Sequence, residues 1–464
     1  MDGLDCMTGL CADGFCCDRA CGGPCEACAA AQTGIANGMC AATPNADCPG
    51  TCSEGTETAA GKCDAMGKCV GTEKKCAPFT CAQTVCKTSC TVGAVDCDAT
   101  TFCWIGGCTK LAQISALYSH TCAVTDDGAV QCWGRNAYGE VGDGSTTKRL
   151  VPVAVTGLSS GIASVGAGGG HSCALTTMGG VKCWGHGSFG ELGDNLASAS
   201  LAPVAVSGLA SGVTAIAVGG AHNCALTTGG GVKCWGLNDR GQLGNNSTAQ
   251  SNVPVGVSGL SSGVIAIAAS LNHTCALTAA GAVKCWGDND YGALGNGTTT
   301  ASSVPVSVTG LSSGVTAIAA GFTHTCALTS AGGVKCWGHN IVGELGDGSA
   351  TSSSVPVGVS GLASGVAAIA AGHETTCART SAGAALCWGA NWEGALGNDS
   401  RMNSPVPIGV TGLSSGVAAI TTGSDYGCAL TMEGRALCWG RGIDGQLGND
   451  SMTASPIPVG VVEP

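Results

Sequence analysis

A histidine stands two residues before a cysteine five times in this chain, at His120, His171, His222, His273 and His324. An imidazole beside a thiol can draw the proton off sulfur and leave a nucleophile. The cysteines also suggest the opposite chemistry, because each is followed by a second cysteine ten residues later. Cys122 is followed by Cys132, Cys173 by Cys183, Cys224 by Cys234, Cys275 by Cys285, Cys326 by Cys336, Cys377 by Cys387 and Cys428 by Cys438. Five identical catalytic dyads in one molecule are implausible, and oxidised sulfur is no nucleophile. Thr375 and Tyr426 replace the histidine in the last two copies, which a packing role tolerates. The histidines are therefore read as structural residues at a strand start, in preference to a ring of metal ligands. The fourteen cysteines are read as seven disulfides. No catalytic, cofactor-binding or metal-ligating residue is expected, and the chain is not read as an enzyme.

Every step between equivalent cysteines is 51 residues, so one unit is stacked seven times. In the copy around Cys173, Ile162 to Ala167, His171 to Thr176, Val181 to Gly185 and the stretch around Pro203 to Val206 read as four short strands with Gly-rich turns between them. Four strands per unit is the pattern of a propeller blade. If Cys173 faces Cys183, then Leu175 faces Val181 on the same side. Other copies pair Val124 with Val130, Leu226 with Val232, Leu277 with Val283 and Leu328 with Val334, while the sixth pairs Arg379 with Ala385. Trp184 and its equivalents lie on the other side and are read as filling space between blades. Proline-led strands recur at Pro152, Pro203, Pro254, Pro305, Pro356, Pro407 and Pro458. The first cysteine hairpin has no such strand before it, and the last such strand has no hairpin after it. The expected fold is all-β: a seven-bladed β-propeller over residues 109–464, closed by pairing of N- and C-terminal strands.

The pattern A-I-A-A-G-x-x-H-T-C-A-L-T…V-K-C-W-G-x-N-x-x-G-x-L-G-x-G…P-V-x-V is nearly whole in residues 315–359. It resembles the repeat of the regulator of chromosome condensation family, and the resemblance implies a seven-bladed propeller. Cysteine at both hairpin positions departs from the nuclear member. It looks like the secreted bacterial branch of the family, and like plant receptor-kinase ectodomains. The nuclear member exchanges guanine nucleotide on a small GTPase through an inserted wedge and docks on chromatin. Every repeat here keeps the same length, so that activity is not expected.

Residues 1–108 hold the remaining 19 of the 33 cysteines and form a small disulfide-rich, loop-dominated region. Such a segment cannot bury enough carbon to offset its chain entropy without cross-links. Cys25 and Cys28 have zinc-type spacing, but no histidine precedes His120. Cys16 and Cys17 are expected to bond to different partners. The spacing resembles cysteine-rich modules of large secreted myxobacterial proteins. This cysteine content points to an oxidising compartment, extracellular or cell-surface, although residues 1–30 contain no apolar signal run. The net charge of −12 is shared by both regions, with 6 basic and 12 acidic side chains in residues 1–108. That balance argues against nucleic acid or an anionic membrane as partner.

Gly185 to Gly190 matches G-x-G-x-x-G by accident, since no helix or distal acid follows. Gly142-Asp143-Gly144-Ser145 and Gly346-Asp347-Gly348-Ser349 are read as solvated turns rather than calcium loops. The segments Asp143–Leu150, Asn245–Asn252, Asn296–Ser303, Asp347–Ser354, Asn398–Ser404 and Asn449–Ala454 vary while their flanks repeat, so recognition is expected there. They are rich in Ser, Thr and Asn and poor in aromatics. The sixth copy, with His373, Glu374, Arg379 and Trp392, is the least regular and the place an enzyme's pocket would sit. The expected role is a non-catalytic binding module for an extracellular protein or glycan. A structural or adhesive protein that self-associates is the second reading.

Overall fold

The computed structural model describes residues 110–462, together with the backbone of two- and three-residue strands between Cys11 and Thr109. The chain divides into two units, Met1–Thr109 and Lys110–Pro464. In the first, the short strands pair as antiparallel ribbons, for example Phe102–Trp104 with Gly107–Thr109. The disulfide connectivity expected there, the partners of Cys16 and Cys17, and the spacing of Cys25 and Cys28 lie outside the described residues. Among the described residues, no helix is long and apolar enough to cross a membrane.

The second unit contains seven four-stranded antiparallel sheets, each made from consecutive strands. Blade 1 comprises Leu111–Leu117, His120–Thr125, Val130–Gly134 and Arg149–Ala154; blade 7 comprises Val417–Thr422, Tyr426–Thr431, Ala436–Gly440 and Ser455–Gly460. The first strand of each blade lines the axis and the fourth lies outermost. The outer strand carries the repeated proline, which removes a ladder donor and blunts the exposed edge against pairing with another chain.

The ring does not close as the sequence suggested. Cys438 faces Val459, so the strand around Pro458 pairs inside its own blade, and Leu111–Leu117 supplies blade 1 with its inner strand. No blade is shared between the chain ends. Closure is instead a packing of blade 7 on blade 1. Leu111 N donates to Gly434 O at 3.0 Å, Trp133 Nε1 to Gln446 O at 3.0 Å and Tyr426 Oη to His120 O at 2.6 Å.

Within each blade the hairpin register follows the cysteines: Cys173 faces Cys183 and Leu175 faces Val181, with Arg379 opposite Ala385 in blade 6. Thr125 N donates to Ala129 O, and from there the ladder alternation leaves Cys122 and Cys132 at a non-hydrogen-bonded pair. Backbones run closest at such pairs, and the two Cα atoms are 4.1 Å apart. All seven expected disulfides are present. Cys122 is bonded to Cys132, Cys173 to Cys183, Cys224 to Cys234 and Cys275 to Cys285. Cys326 is bonded to Cys336, Cys377 to Cys387 and Cys428 to Cys438. All fourteen cysteines are fully buried.

Six of the seven cystines are seen packed against the next blade. Trp184 of blade 2 sits in one apolar cluster with Cys122 and Cys132, and Trp235 of blade 3 in one with Cys173 and Cys183. Trp286 lies likewise with Cys224 and Cys234, and Trp337 with Cys275 and Cys285. Trp388 joins Cys326 and Cys336, and Trp439 joins Cys377 and Cys387. The tryptophans thus fill the space between blades, as expected.

Hydrogen bonds add direction to this packing. His222 Nε2 lies 2.8 Å from Thr274 Oγ1 of the next blade, and Thr274 Oγ1 donates to Gln242 O at 2.9 Å. The hydroxyl proton is thus spent on the carbonyl, so the imidazole must donate through Nε2. Trp286 Nε1 donates to the same Gln242 carbonyl at 2.9 Å. The series repeats with His120–Ser172, His171–Asn223, His273–Thr325 and His324–Thr376 at 2.8 to 2.9 Å. The five histidines are buried and neutral. Burial holds His120, His222 and His273 down to about 3 and His324 to about 4, and lowers His171 as well.

Non-reducing alkylation of the folded protein should label none of the fourteen propeller cysteines; peptide mapping that finds them modified contradicts the cross-links. A double variant carrying Cys224→Ala and Cys234→Ala should lose about 2–4 kcal/mol of stability in thermal or denaturant unfolding. The histidines set a pH dependence. Their folded pKa values lie below the unfolded value of about 6.5, so their contribution is whole above pH 6.5. It declines as acid protonates the unfolded chain, by up to about 1.4 kcal/mol per pH unit for each histidine, until the folded groups titrate near pH 3 to 4. The melting temperature should therefore fall steadily from pH 6.5 to 4, and less steeply for His222→Gln. An equal slope in that variant would refute the assignment.

Candidate functional site

Because the four strands of a blade alternate in direction, the loops after its first and third strands emerge on one face of the ring. The long loops after the third strand all lie there. The glycine after each tryptophan starts this loop with a positive φ, 106° at Gly134, and a Cβ at Gly134 would lie 2.6 Å from Ser119 O. Only glycine lets the loop leave so close to its neighbour.

A buried amide then shapes the loop. Asn136 Oδ1 accepts from Val141 N at 2.9 Å, and its Nδ2 donates to Ser145 O at 3.1 Å and Thr147 O at 3.0 Å. Asn238, Asn289, Asn340 and Asn391 repeat this arrangement. Glu140 closes the tip, its Oε2 accepting from Tyr138 N at 2.7 Å; Glu191, Gln242, Glu344 and Gln446 do the same in their blades. Arg135 lies 3.8 Å from the Glu140 carboxylate, yet burial outweighs this and raises its pKa.

With the backbone satisfied from within, the tip side chains at the positions of Ala137 and Tyr138 face solvent. They are large and apolar in six of the seven blades: Tyr138, Phe189, Tyr291, Ile341, Trp392 and Ile443 are 40 to 63% exposed. Blade 3 carries Asp239 and Arg240 instead. Ion pairs thread the same face, among them Arg149–Asp143, Lys148–Asp444 and Arg401–Glu393. The outcome is a ring of apolar tips on a mixed-charge ground. The variable segments in which the sequence places recognition lie just downstream, share this face and add Met402 and Met452. Apart from Trp392, the tips escape sequence reasoning, because one apolar residue in 51, shifting between two adjacent positions, makes no visible pattern. The Asp143 and Asp347 turns are self-contained: Asp143 accepts from Ser145 N at 3.0 Å and pairs with Arg149, and Asp347 accepts from Ser349 N at 2.9 Å.

The irregular residues of the sixth copy do not converge. His373, Glu374 and Trp392 are on the loop face, whereas Arg379 ends the second strand toward the opposite face. Glu374 approaches His339 and Glu344 of blade 5. Its pKa is raised by burial, with Glu344 and Asp425 adding to the rise and His373 and His339 opposing it. The axis of the ring holds a cavity of about 350 Å³ lined by small and branched residues such as Ala217, Ile267, Ile318 and Thr421. Leu117, Ala167, Leu271 and Phe322 meet across its loop-face end.

Comparison with known proteins agrees with this architecture. The regulator of chromosome condensation (RCC1) repeat profile matches residues 127–175, 230–277, 280–328, 331–379 and 382–430. A second profile of the same repeat matches residues 112–140, 162–191, 213–242, 264–293 and 315–344. The ultraviolet-B receptor UVR8 of Arabidopsis thaliana is 32% identical over 346 residues, covering 73% of this chain and 79% of that protein. Human WBSCR16 shares the fold with a TM-score of 0.65 at 24% identity, over 73% of this chain and 94% of its own. Yeast RCC1 (Prp20), solved bound to Kap60, does so with a TM-score of 0.64 at 22% identity, over 76% of this chain and 84% of its own. Proteins of this repeat type mediate protein interactions and regulation. With its repeats matched and a relative of this identity spanned across most of its length, the chain belongs to the RCC1 repeat family.

Proposed function

We propose that this protein is a non-catalytic binding module, working outside the cell or at its surface, that holds a protein partner against the loop face of its propeller. The observation that carries this reading is the ring of exposed apolar tips, Tyr138, Phe189, Tyr291, Ile341, Trp392 and Ile443. Exposed apolar groups gathered on one face mark interaction sites, and aromatic anchors dominate binding energy where they are buried by a partner. The mixed charges between the tips suit a polar rim. Among the described residues, the turns between second and third strands, on the opposite face, expose just two large apolar side chains, Met178 and Met432. The extracellular setting rests on the cystines: seven cross-links in one array fit an oxidising compartment. The net charge of −12 speaks against nucleic acid. Self-association through the same apolar tips is the second reading, favoured by their lying on one face of a rigid ring.

The two readings separate in solution. The binding-module reading expects a monomer at micromolar concentration by analytical ultracentrifugation, and capture of a protein from the native cell-surface extract. A triple variant carrying Tyr138→Ser, Tyr291→Ser and Trp392→Ser should weaken that capture by about tenfold or more, while Met178→Ser on the opposite face leaves it unchanged. Capture that survives the triple variant refutes the assignment of the face. A wild-type dimer that the same variant dissociates favours self-association instead.

A further inference from the structure

At each junction between blades the 51-residue period brings three loop-face positions together. They are the residue after the Trp-Gly pair, the residue five further on, and the residue before the second strand of the next blade. At the junction of blades 1 and 2 these are Arg135, Glu140 and Gly170, a base and an acid with nothing third. At the junction of blades 2 and 3 they are His186, Glu191 and Ala221, and His186 Nδ1 pairs with Glu191 Oε1 at 2.7 Å. Blades 5 and 6 place His339, Glu344 and Glu374 there. Among the described residues this junction alone carries three side chains that ligate metals.

The third member changes the chemistry. His339 Nδ1 is hydrogen-bonded with Glu344 Oε1, as His186 Nδ1 is with Glu191 Oε1 in blade 2. Glu374 then brings a second carboxylate into the same space. Its Oε2 is buried with no hydrogen-bond partner, and no ion pair reaches it among the described residues. Glu344 is fully buried and His339 is 7% exposed, with the Tyr291 ring edge-on to the imidazole at 4.5 Å. Water is therefore a poor source of compensation for the added charge. One donor atom from each of the three residues lies within 4.8 Å of the others. An ion held at about 2.0–2.2 Å from each must displace the His339–Glu344 hydrogen bond, spread those two donors apart and draw in Glu374, the least buried of the three.

We propose that His339, Glu344 and Glu374 form a site for a divalent first-row transition ion of the zinc class. One imidazole nitrogen and two carboxylate oxygens suit such an ion, and a neutral junction results when the cation offsets both acids. Three protein ligands leave a coordination position for water. The site does not depend on the partner-binding reading, and either can fail without the other.

The test is calorimetric titration of ZnCl₂ into the full, chelator-treated chain. The wild type should take up one equivalent more than His339→Ala or Glu374→Gln, with both variants checked for an intact thermal transition. His186→Ala, at the two-ligand junction, should match the wild type. Equal uptake by the wild type and Glu374→Gln overturns the proposal, as does loss of the same equivalent in His186→Ala. Cobalt titrated into the wild type alone gives an independent reading that no misfolded variant can blur. Weak visible bands without sulfur-to-metal charge transfer support the nitrogen and oxygen set, while uptake seen only as sulfur charge transfer assigns the ion to thiols and overturns it.

Discussion

One backbone carbonyl per blade holds this ring together. It belongs to Gln242, Glu191 or their equivalents, two residues past the loop tip, and it accepts the indole N–H of the next blade's tryptophan. In most blades it also accepts a hydroxyl or amide from the next blade's second strand. A buried carbonyl left unpaired costs about 1–3 kcal/mol, so every loop is bound to the position of the blade that follows it. The lock explains neighbouring choices. The glycine two residues past this carbonyl is fixed because a Cβ at Gly142 would lie 2.6 Å from Trp184 Nε1. Ser, Thr or Asn recurs beside the cysteine because its side chain must both accept from a histidine and donate to the carbonyl. Blade 7 is the exception. Gly427 stands there, and only Trp439 Nε1 reaches Ala395 O, at 2.8 Å. A Cβ at Gly427 would lie 2.7 Å from that tryptophan. At the seam between blades 6 and 7 this carbonyl thus has one partner from the next blade where its equivalents have two.

The cystines do more than cross-link. The inner strands are rich in Ala and Gly, and aromatic residues make up only 4% of the chain. A blade this light needs dense apolar volume elsewhere, and the buried disulfide supplies it where the next tryptophan lands. Cross-link and core filler are the same atoms. This is why the cysteine pair keeps its spacing while the strand around it drifts from Leu175 to Arg379.

Much of this is legible in the sequence. The 51-residue period sets the blade count, and the apolar partners of Leu175 and Leu226 set the hairpin register. The histidines are packing residues, as expected from the two of seven positions that tolerate Thr375 and Tyr426. Ring closure departs from the sequence expectation for a physical reason: a tandem repeat has no intrinsic phase, and sequence alone does not say whether a proline-led strand ends one sheet or begins the next. The ladder from Cys438 to Val459 decides it. Contacts that cross blades are also invisible in the sequence. The link from His222 to Thr274 spans 52 residues, one more than the period, so it falls between copies and not within any of them. The approach of Glu374 to His339 and Glu344 likewise crosses from one blade to the next and leaves no mark within a single copy.

The two faces differ in how freely they can vary. On the face opposite the long loops, each hairpin turn is hydrogen-bonded to the linker into the next blade. Ile162 N donates to Gly128 O and Thr177 N to Gly161 O, and Val181 N reaches Leu209 O. A Cβ at Gly128 would lie 2.9 Å from Gly161 N. A side chain has no room at that glycine, and the Leu-Ser-Ser-Gly type of linker repeats almost unchanged. On the loop face the backbone is satisfied from inside, by Asn136 below the tip and Glu140 behind it. The tip positions then carry no structural duty, and substitution at them disturbs neither the lock nor the cystine. A ring assembled from near-identical units can diversify only where its own bonding leaves side chains free. In this molecule those places include the tips, the segments just downstream of them and the residue before each second strand, and it is there that Trp392, Ile341 and Glu374 depart from the repeat.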